Sequence, residues 1–234
     1  MSHEGRAGAV LVIDTATSRV VIATGTTDGA VDDVATWEPG YRHGETLLPS
    51  IARVLGEANT GRSQLDANIG RSQLGAIVVG TGPGAFTGLR VGIATAKGLA
   101  HGLAVPLVGV STAEALMAAA ATPRPVLLLP AGPSDRVLVR PGEAPRSVRG
   151  GLDPELDPGE TLIAVDLVGR APSDAVTRGD EARAGLASAL LAAGVARLRA
   201  YPDGELATLV PEYVTPPRGA RPTDGTVTWS RDHR

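Results

Sequence analysis

The sequence predicts an α/β fold with a mixed sheet in its first half, and three observations carry that prediction. Apolar runs of strand length and runs of helical periodicity follow one another in the order βββαβαβ. The first three strands are joined by short turns, which makes them an antiparallel meander. The later strands are separated by helices, which is how parallel strands are connected.

Each element has its own justification. "AVLVIDTA" (Ala9–Ala16) is a continuous apolar run and reads as a buried strand. "RVVIATG" (Arg19–Gly25) follows a short turn, and "AVDDVATW" (Ala30–Trp37) alternates as a third strand. "HGETLLPSIARVLGEA" (His43–Ala58) places Leu47, Leu48, Ile51, Val54 and Leu55 on one helical face, with Pro49 either near its first turn or bending the helix. Residues 59–74 hold "GRSQL" twice, a local duplication in a polar linker. "GAIVVGTG" (Gly75–Gly82) is a fourth strand, a glycine-rich loop and helix run to about Leu103, and "VPLVGVS" (Val105–Ser111) is a fifth strand.

The second half reads less clearly. "STAEALMAAAA" is a helix with Ser111 or Thr112 as its cap and Glu114 in its first turn. "RPVLLLPAG" and "DRVLVRPG" read as paired strands, "PRSVRGGLDPELDPGE" as loop and "TLIAVDLVG" as a strand. "GDEARAGLASALLAAGVARL" is a helix, and the Pro/Gly/Arg/Asp-rich tail from Pro216 is expected to be loose. The expected division is a first lobe over 1–110, a second over 111–215 and the tail over 216–234.

Composition narrows the function. The 234 residues are 43% hydrophobic and 20% charged, enough for a substantial core. A net charge of −3, a single lysine (Lys97) and 3% aromatic residues argue against a general nucleic-acid surface. The absence of cysteine excludes disulfides, thiolate metal sites and a cysteine nucleophile. "MSHEGRAGAVLVIDTATS" does not read as a signal peptide, and no stretch approaches the ~20 apolar residues of a membrane span. A cytoplasmic protein without a membrane partner is expected.

The chemistry-bearing residues gather around "GTGPGAFTGLRVGIATAKGLAHG" (Gly80–Gly102). A strand, a Gly-Pro-Gly loop and a helix start present backbone N–H groups that suit an anion, although the Lys-Ser/Thr of a P-loop is missing. A positive-φ turn explains the glycines equally well. Within the helix, Gly88, Gly92, Ala96 and Ala100 recur every four residues beside Leu89, Ile93, Leu99 and Leu103. Such a smooth stripe lets a second helix approach closely, either from a partner or from this chain's own sheet. His3, His43, His101 and His233 form no helix-borne metal pair, and no serine has a GxSxG context. Asp14 ends a strand, where it could hold a metal-bound water or serve a turn.

"VLVIDTAT", "RHGETLLPSI", "GTGPGAFTGLRVGIATAKGLA" and "PLVGVSTAEAL" together resemble the TsaB (YeaZ) family, which serves threonylcarbamoyladenosine formation on tRNA. The resemblance runs from Ala9 to Leu116 and returns at "LVPEYV" (Leu209–Val214); between Thr122 and Ala207 the match is poor, and "LPAGPSDRVLV" replaces the family's Asp-Ala-Arg strand. It implies an actin-like, Hsp70-like (ASKHA) two-lobed α/β fold with a mixed sheet in the first lobe and a shortened, divergent second lobe. It implies a non-catalytic accessory of the TsaD transferase, acting on adenosine-37 of tRNAs that read ANN codons. The metal-holding histidine pair of TsaD is absent here. The partners implied are a TsaD-like transferase, a TsaE-like ATPase and tRNA through the complex, with the isolated chain either a monomer or a homodimer. The partner interface expected on the two first-lobe helices comprises Leu47, Leu48, Ile51, Leu55, Gly88, Gly92, Ala96, Leu99, Ala100 and Leu103. A vestigial phosphate loop would comprise Asp14, Thr15, Gly82, Gly84, Thr87 and Gly88, with no tightly bound cofactor, ATP or ADP binding weakly, no metal and no catalytic residue. The competing functions are an independent nucleotide-dependent phosphotransferase of the same superfold and an M22-type metallopeptidase.

Overall fold

The computed structural model describes residues 8–40, 42–57 and 74–213. The GRSQL duplication, except for Leu74, and the tail from Pro216 lie outside the described residues, as do His3 and His233.

Five strands form the first sheet: β1 (Ala9–Asp14), β2 (Val20–Gly25), β3 (Val31–Trp37), β4 (Leu74–Gly80) and β5 (Leu107–Val110), in the order β3-β2-β1-β4-β5. β1 pairs antiparallel with β2 and parallel with β4, so the sheet is mixed, as the short turns and helical crossovers require. Successive side chains of β1 go to opposite faces. Leu11 and Ile13 enter one core with Leu47, Ile51 and Val54 of α1 (His43–Glu57) and Leu89 and Ile93 of α2 (Phe86–Leu103). Val10 and Val12 enter another core on the opposite face. Both faces are covered, which explains why β1 reads as an unbroken apolar run.

The second sheet has the order β8-β7-β6-β9, built from β6 (Pro125–Pro130), β7 (Arg136–Val139), β8 (Arg146–Val148) and β9 (Thr161–Ala164). Between the sheets lie α3 (Thr112–Ala119) and α4 (Ser173–Ala200). Leu116, Leu186, Leu190 and Leu191 share one core with Val12 and Val78 of the first sheet and Leu127 and Ile163 of the second. α4 touches both sheets at glycines. A Cβ on Gly179 would stand 1.9 Å from the Ala164 carbonyl oxygen of β9, and one on Gly194 would stand 2.3 Å from a Val78 methyl of β4.

Several sequence expectations change here. β8 falls in a stretch read as loop; it is a three-residue edge strand with two exposed residues, too short to show alternation. α4 begins six residues before the expected Gly179, because Pro172 and Asp174 mark its true start and Gly179 is an interior point of close approach. Ser111 precedes α3 but makes no side-chain cap; its hydroxyl donates to the Gly82 carbonyl and to Glu212. Residues Gly204–Tyr213, expected in the second lobe, return to the first sheet. Glu205 N donates to the Leu107 carbonyl, Glu212 N donates to the Thr81 carbonyl, and Leu209 is buried in the core with Leu107. This segment lies along β5, the edge strand of the first sheet, and covers what would otherwise be an open edge.

Candidate functional site: the Asp14 loop cluster and the helices beside it

The carboxyl ends of β1, β4 and β5 bring Asp14, the Gly80–Gly84 loop and the start of α3 together. Asp14 is fully buried and accepts hydrogen bonds from Thr112 Oγ1 at 2.6 Å and Ala16 N at 3.1 Å. Gly80 makes room for it, since a Cβ there would stand 1.8 Å from Asp14 Oδ2. Thr112 Oγ1 also accepts from Gly82 N at 3.2 Å, while Thr112 N donates to the Gly82 carbonyl at 2.7 Å. Thr15 Oγ1 donates to the Gly88 carbonyl at 2.8 Å. Ala85 N donates to the Ala16 carbonyl at 2.7 Å, and Gly84 permits that approach because a Cβ would meet the same oxygen at 2.0 Å.

The cluster therefore unites Asp14, Thr15, Gly82, Gly84 and Gly88, whereas Thr87 stands exposed on the first turn of α2. The N–H groups of Ala16, Gly82 and Ala85 already have acceptors within the chain. Gly92 is spoken for as well: a Cβ there would lie 2.1 Å from Thr15 Oγ1.

That contact corrects the expected interface. Gly88, Gly92, Ala96 and Ala100 are all buried, as are Leu47, Ile51 and Leu55. The stripe seats α2 against this chain's own β1 end and sheet, because a helix covering a sheet needs its smallest residues where the backbones come closest. Leu99 and Leu103 are half-buried at the margin of that core. Among the expected interface residues, Leu48 is the one that stands out into solvent, 52% exposed. The outward side of the α1/α2 layer is formed instead by Leu48, Ala52, Ala94, Gly98 and Gly102, all exposed. An added Cβ at Gly98 or Gly102 would meet nothing within 4 Å.

Two further groups were missed in the sequence because their partners are remote in the chain. Glu212 accepts from Thr81 Oγ1 at 2.5 Å and from Ser111 Oγ at 3.1 Å. Beside it, Tyr213 stacks obliquely on Phe86, ring centroids 5.1 Å apart, and its hydroxyl meets Arg90 Nε at 2.9 Å. The Arg90 guanidinium lies 3.8 Å over the Phe86 ring. The only signal was the juxtaposition of "GPGAFTGLR" with "LVPEYV" as the two motifs of one resemblance. The second group is a latch between the two sheets. Ser18 N and Oγ donate to Asp166 at 2.6 and 2.5 Å, and Arg183 donates to the same carboxylate at 2.7 Å. Among the described residues, no group of three or more His, Asp and Glu could hold a metal ion, and no helix is long and apolar enough to cross a membrane.

Burial pushes the Asp14 carboxyl up to about 6, against the lowering effect of its Thr112 and Ala16 hydrogen bonds. The folded protein then holds a proton that the unfolded chain has lost between about pH 4 and 6. Stability falls as pH rises through that window, and the penalty is complete above it. A shift of about two units corresponds to roughly 3 kcal/mol. Asp14→Asn, which keeps the shape and removes the charge, is expected to stabilise the protein by about 1–3 kcal/mol at pH 8, with the gain shrinking towards pH 4. Denaturant melts at the two pH values check this, and an equal effect at both would refute the buried-charge account.

Comparisons with known proteins agree with this architecture. The family model described as TsaD, tRNA N6-adenosine threonylcarbamoyltransferase, matches residues 40–154, just under half of the chain. The TsaB biosynthesis protein of Escherichia coli is 38% identical over 104 residues, covering 44% of this chain and 40% of that protein. The tRNA N6-adenosine threonylcarbamoyltransferase of Nitratidesulfovibrio vulgaris is 46% identical over 96 residues, 41% of this chain and 23% of that protein. The chain thus matches less than half the length of these curated relatives. The solved structure of YeaZ from Pseudomonas aeruginosa superposes with a TM-score of 0.60 at 20% identity, covering 88% of this chain and all of the other. The fold is α/β of the actin-like (ASKHA) type, and the likeness to the TsaB/YeaZ family stands.

Proposed function

We propose, from the TsaB/YeaZ likeness of the chain, that it is an accessory subunit in tRNA threonylcarbamoyladenosine biosynthesis and is itself non-catalytic. The observation that supports the second part is the commitment of three of the loop's donors within the chain. Ala16 N, Gly82 N and Ala85 N are used to fasten Asp14, Thr112 and α2, which is what a loop that positions a helix requires. In this reading the chain dimerises with a TsaD-like transferase through the outward side of α1 and α2 in the lobe formed by residues 1–110. The complex modifies adenosine-37 of tRNAs that read ANN codons, recruits a TsaE-like ATPase and contacts tRNA as a whole. The isolated chain forms a homodimer in the cytoplasm through the same surface and binds ATP or ADP only weakly.

The test is an assay of modified adenosine in tRNA with this chain alone, the organism's TsaD-like transferase alone, and both together. Modification is expected only when both are present. Robust modification by this chain alone would end the accessory reading and favour an independent transferase.

A further inference from the structure

The structure assigns an oxyanion-binding site to a cavity of about 680 Å³ at the tip of the second sheet, far in sequence from the Asp14 loop. Arg136, Arg149 and Arg170 line it, together with Asp135, Asp153 and the Gly150–Gly151 turn. Arg136 is only 3% exposed. Its guanidinium donates to the carbonyl oxygens of Arg170 at 2.8 Å, Arg149 at 3.0 Å and Leu152. All three acceptors are neutral, and Nε has no partner among the described residues.

The opposite end of the same strand supplies the comparison. Arg140, also buried, is held by both carboxylate oxygens of Glu160, at 2.7 and 2.9 Å, and by the Glu155 carbonyl at 2.9 Å. One buried arginine therefore has its carboxylate and the other has none within the described residues. A buried cation without a counter-charge is costly, and it is tolerated where an anion completes it. Asp135 lies alongside, but its Oδ1 accepts from Gly150 N at 3.3 Å and it makes no ion pair with Arg136. Arg170 spends one nitrogen on the carbonyls of Gly132 and Asp135. Arg149 is exposed at the rim with no side-chain partner among the described residues.

Three guanidinium groups against two carboxylates leave a surplus of one positive charge in the lining. The cavity is the size of a small-molecule site rather than of a lone ion. Planar guanidinium groups match the oxygens of phosphate and carboxylate. The ligand is accordingly a small molecule carrying a phosphate or carboxylate group, held at the cavity mouth by Arg149 and Arg170 over the buried charge of Arg136.

The experiment uses the full chain and measures melting temperature and calorimetric binding with sodium phosphate, sodium acetate and sodium chloride at equal ionic strength. A saturable rise with phosphate or acetate, absent with chloride, is expected. Preference for phosphate identifies a phosphorylated ligand, and preference for acetate a carboxylate. Arg149→Gln should leave the ligand-free melting temperature unchanged and weaken oxyanion binding about tenfold, the loss of one charge-assisted contact. Arg42→Gln, on the far α1 segment, should bind as the parent does. Equal effects of chloride and the oxyanions, or unaltered binding by Arg149→Gln, would overturn the assignment.

Discussion

Gly92→Leu is expected to lower the melting temperature by roughly 4–12 °C, the equivalent of about 2–3 kcal/mol in a chain of this size. The position sits where α2 crosses the end of β1. The first carbon of any side chain would fall 2.1 Å from Thr15 Oγ1 and 3.2 Å from both Thr15 carbons, so rotating the threonine does not clear the space. Thr15 is itself buried and fixed by its bond to the Gly88 carbonyl. Overpacking of this kind costs ~1–3 kcal/mol or more, and the displaced hydrogen bond adds ~1 kcal/mol. Replacing a helix glycine returns at most ~1 kcal/mol. A thermal melt decides the matter, and an unchanged or raised melting temperature would show that Gly92 does not face Thr15.

Gly98→Leu is the counterpart on the opposite side of the same helix. No atom outside its own helical turn lies within 4 Å of the added Cβ, so the fold should hold or gain up to ~1 kcal/mol. If the outward side of α1 and α2 meets a partner helix, the new side chain stands at the closest approach of the two axes. That costs ~1–3 kcal/mol of binding, a loss of up to roughly a hundredfold. The measurement is affinity for the TsaD-like transferase alongside a melting curve of the variant. Full-strength binding by a well-folded Gly98→Leu would remove this face from the interface.

The contrast between these two glycines shows what the sequence could convey. Spacing of four places Gly88, Gly92, Ala96 and Ala100 on one stripe, and that grouping is correct. Spacing does not say what lies opposite, because Thr15 belongs to a different element. The βββαβαβ order was readable for a simple reason: each strand of the first sheet is buried on one or both faces and each helix on one side, so local periodicity and tertiary burial coincide. β8 and the start of α4 escaped because neither has such a pattern. The first is an edge of three residues, and the second carries a glycine whose role is close packing on the Ala164 carbonyl. In the site, Asp14 and the glycines announced themselves by type. Thr112 did not, since the hydroxyl that holds Asp14 comes from 98 positions away and reads locally as a helix cap.

The segment that covers β5 ties the first sheet to the order of synthesis. Thr81 emerges from the ribosome 131 residues before Glu212, the residue whose carboxylate and N–H it binds. At ~5–20 residues per second that interval is on the order of 10 s. Throughout it, β5 has an uncovered edge and the core lacks Leu209. The nascent first half thus presents an unpaired strand edge of the kind that recruits other chains. Completion of that half waits on the last described residues, so the two halves of this chain mature together and not in sequence.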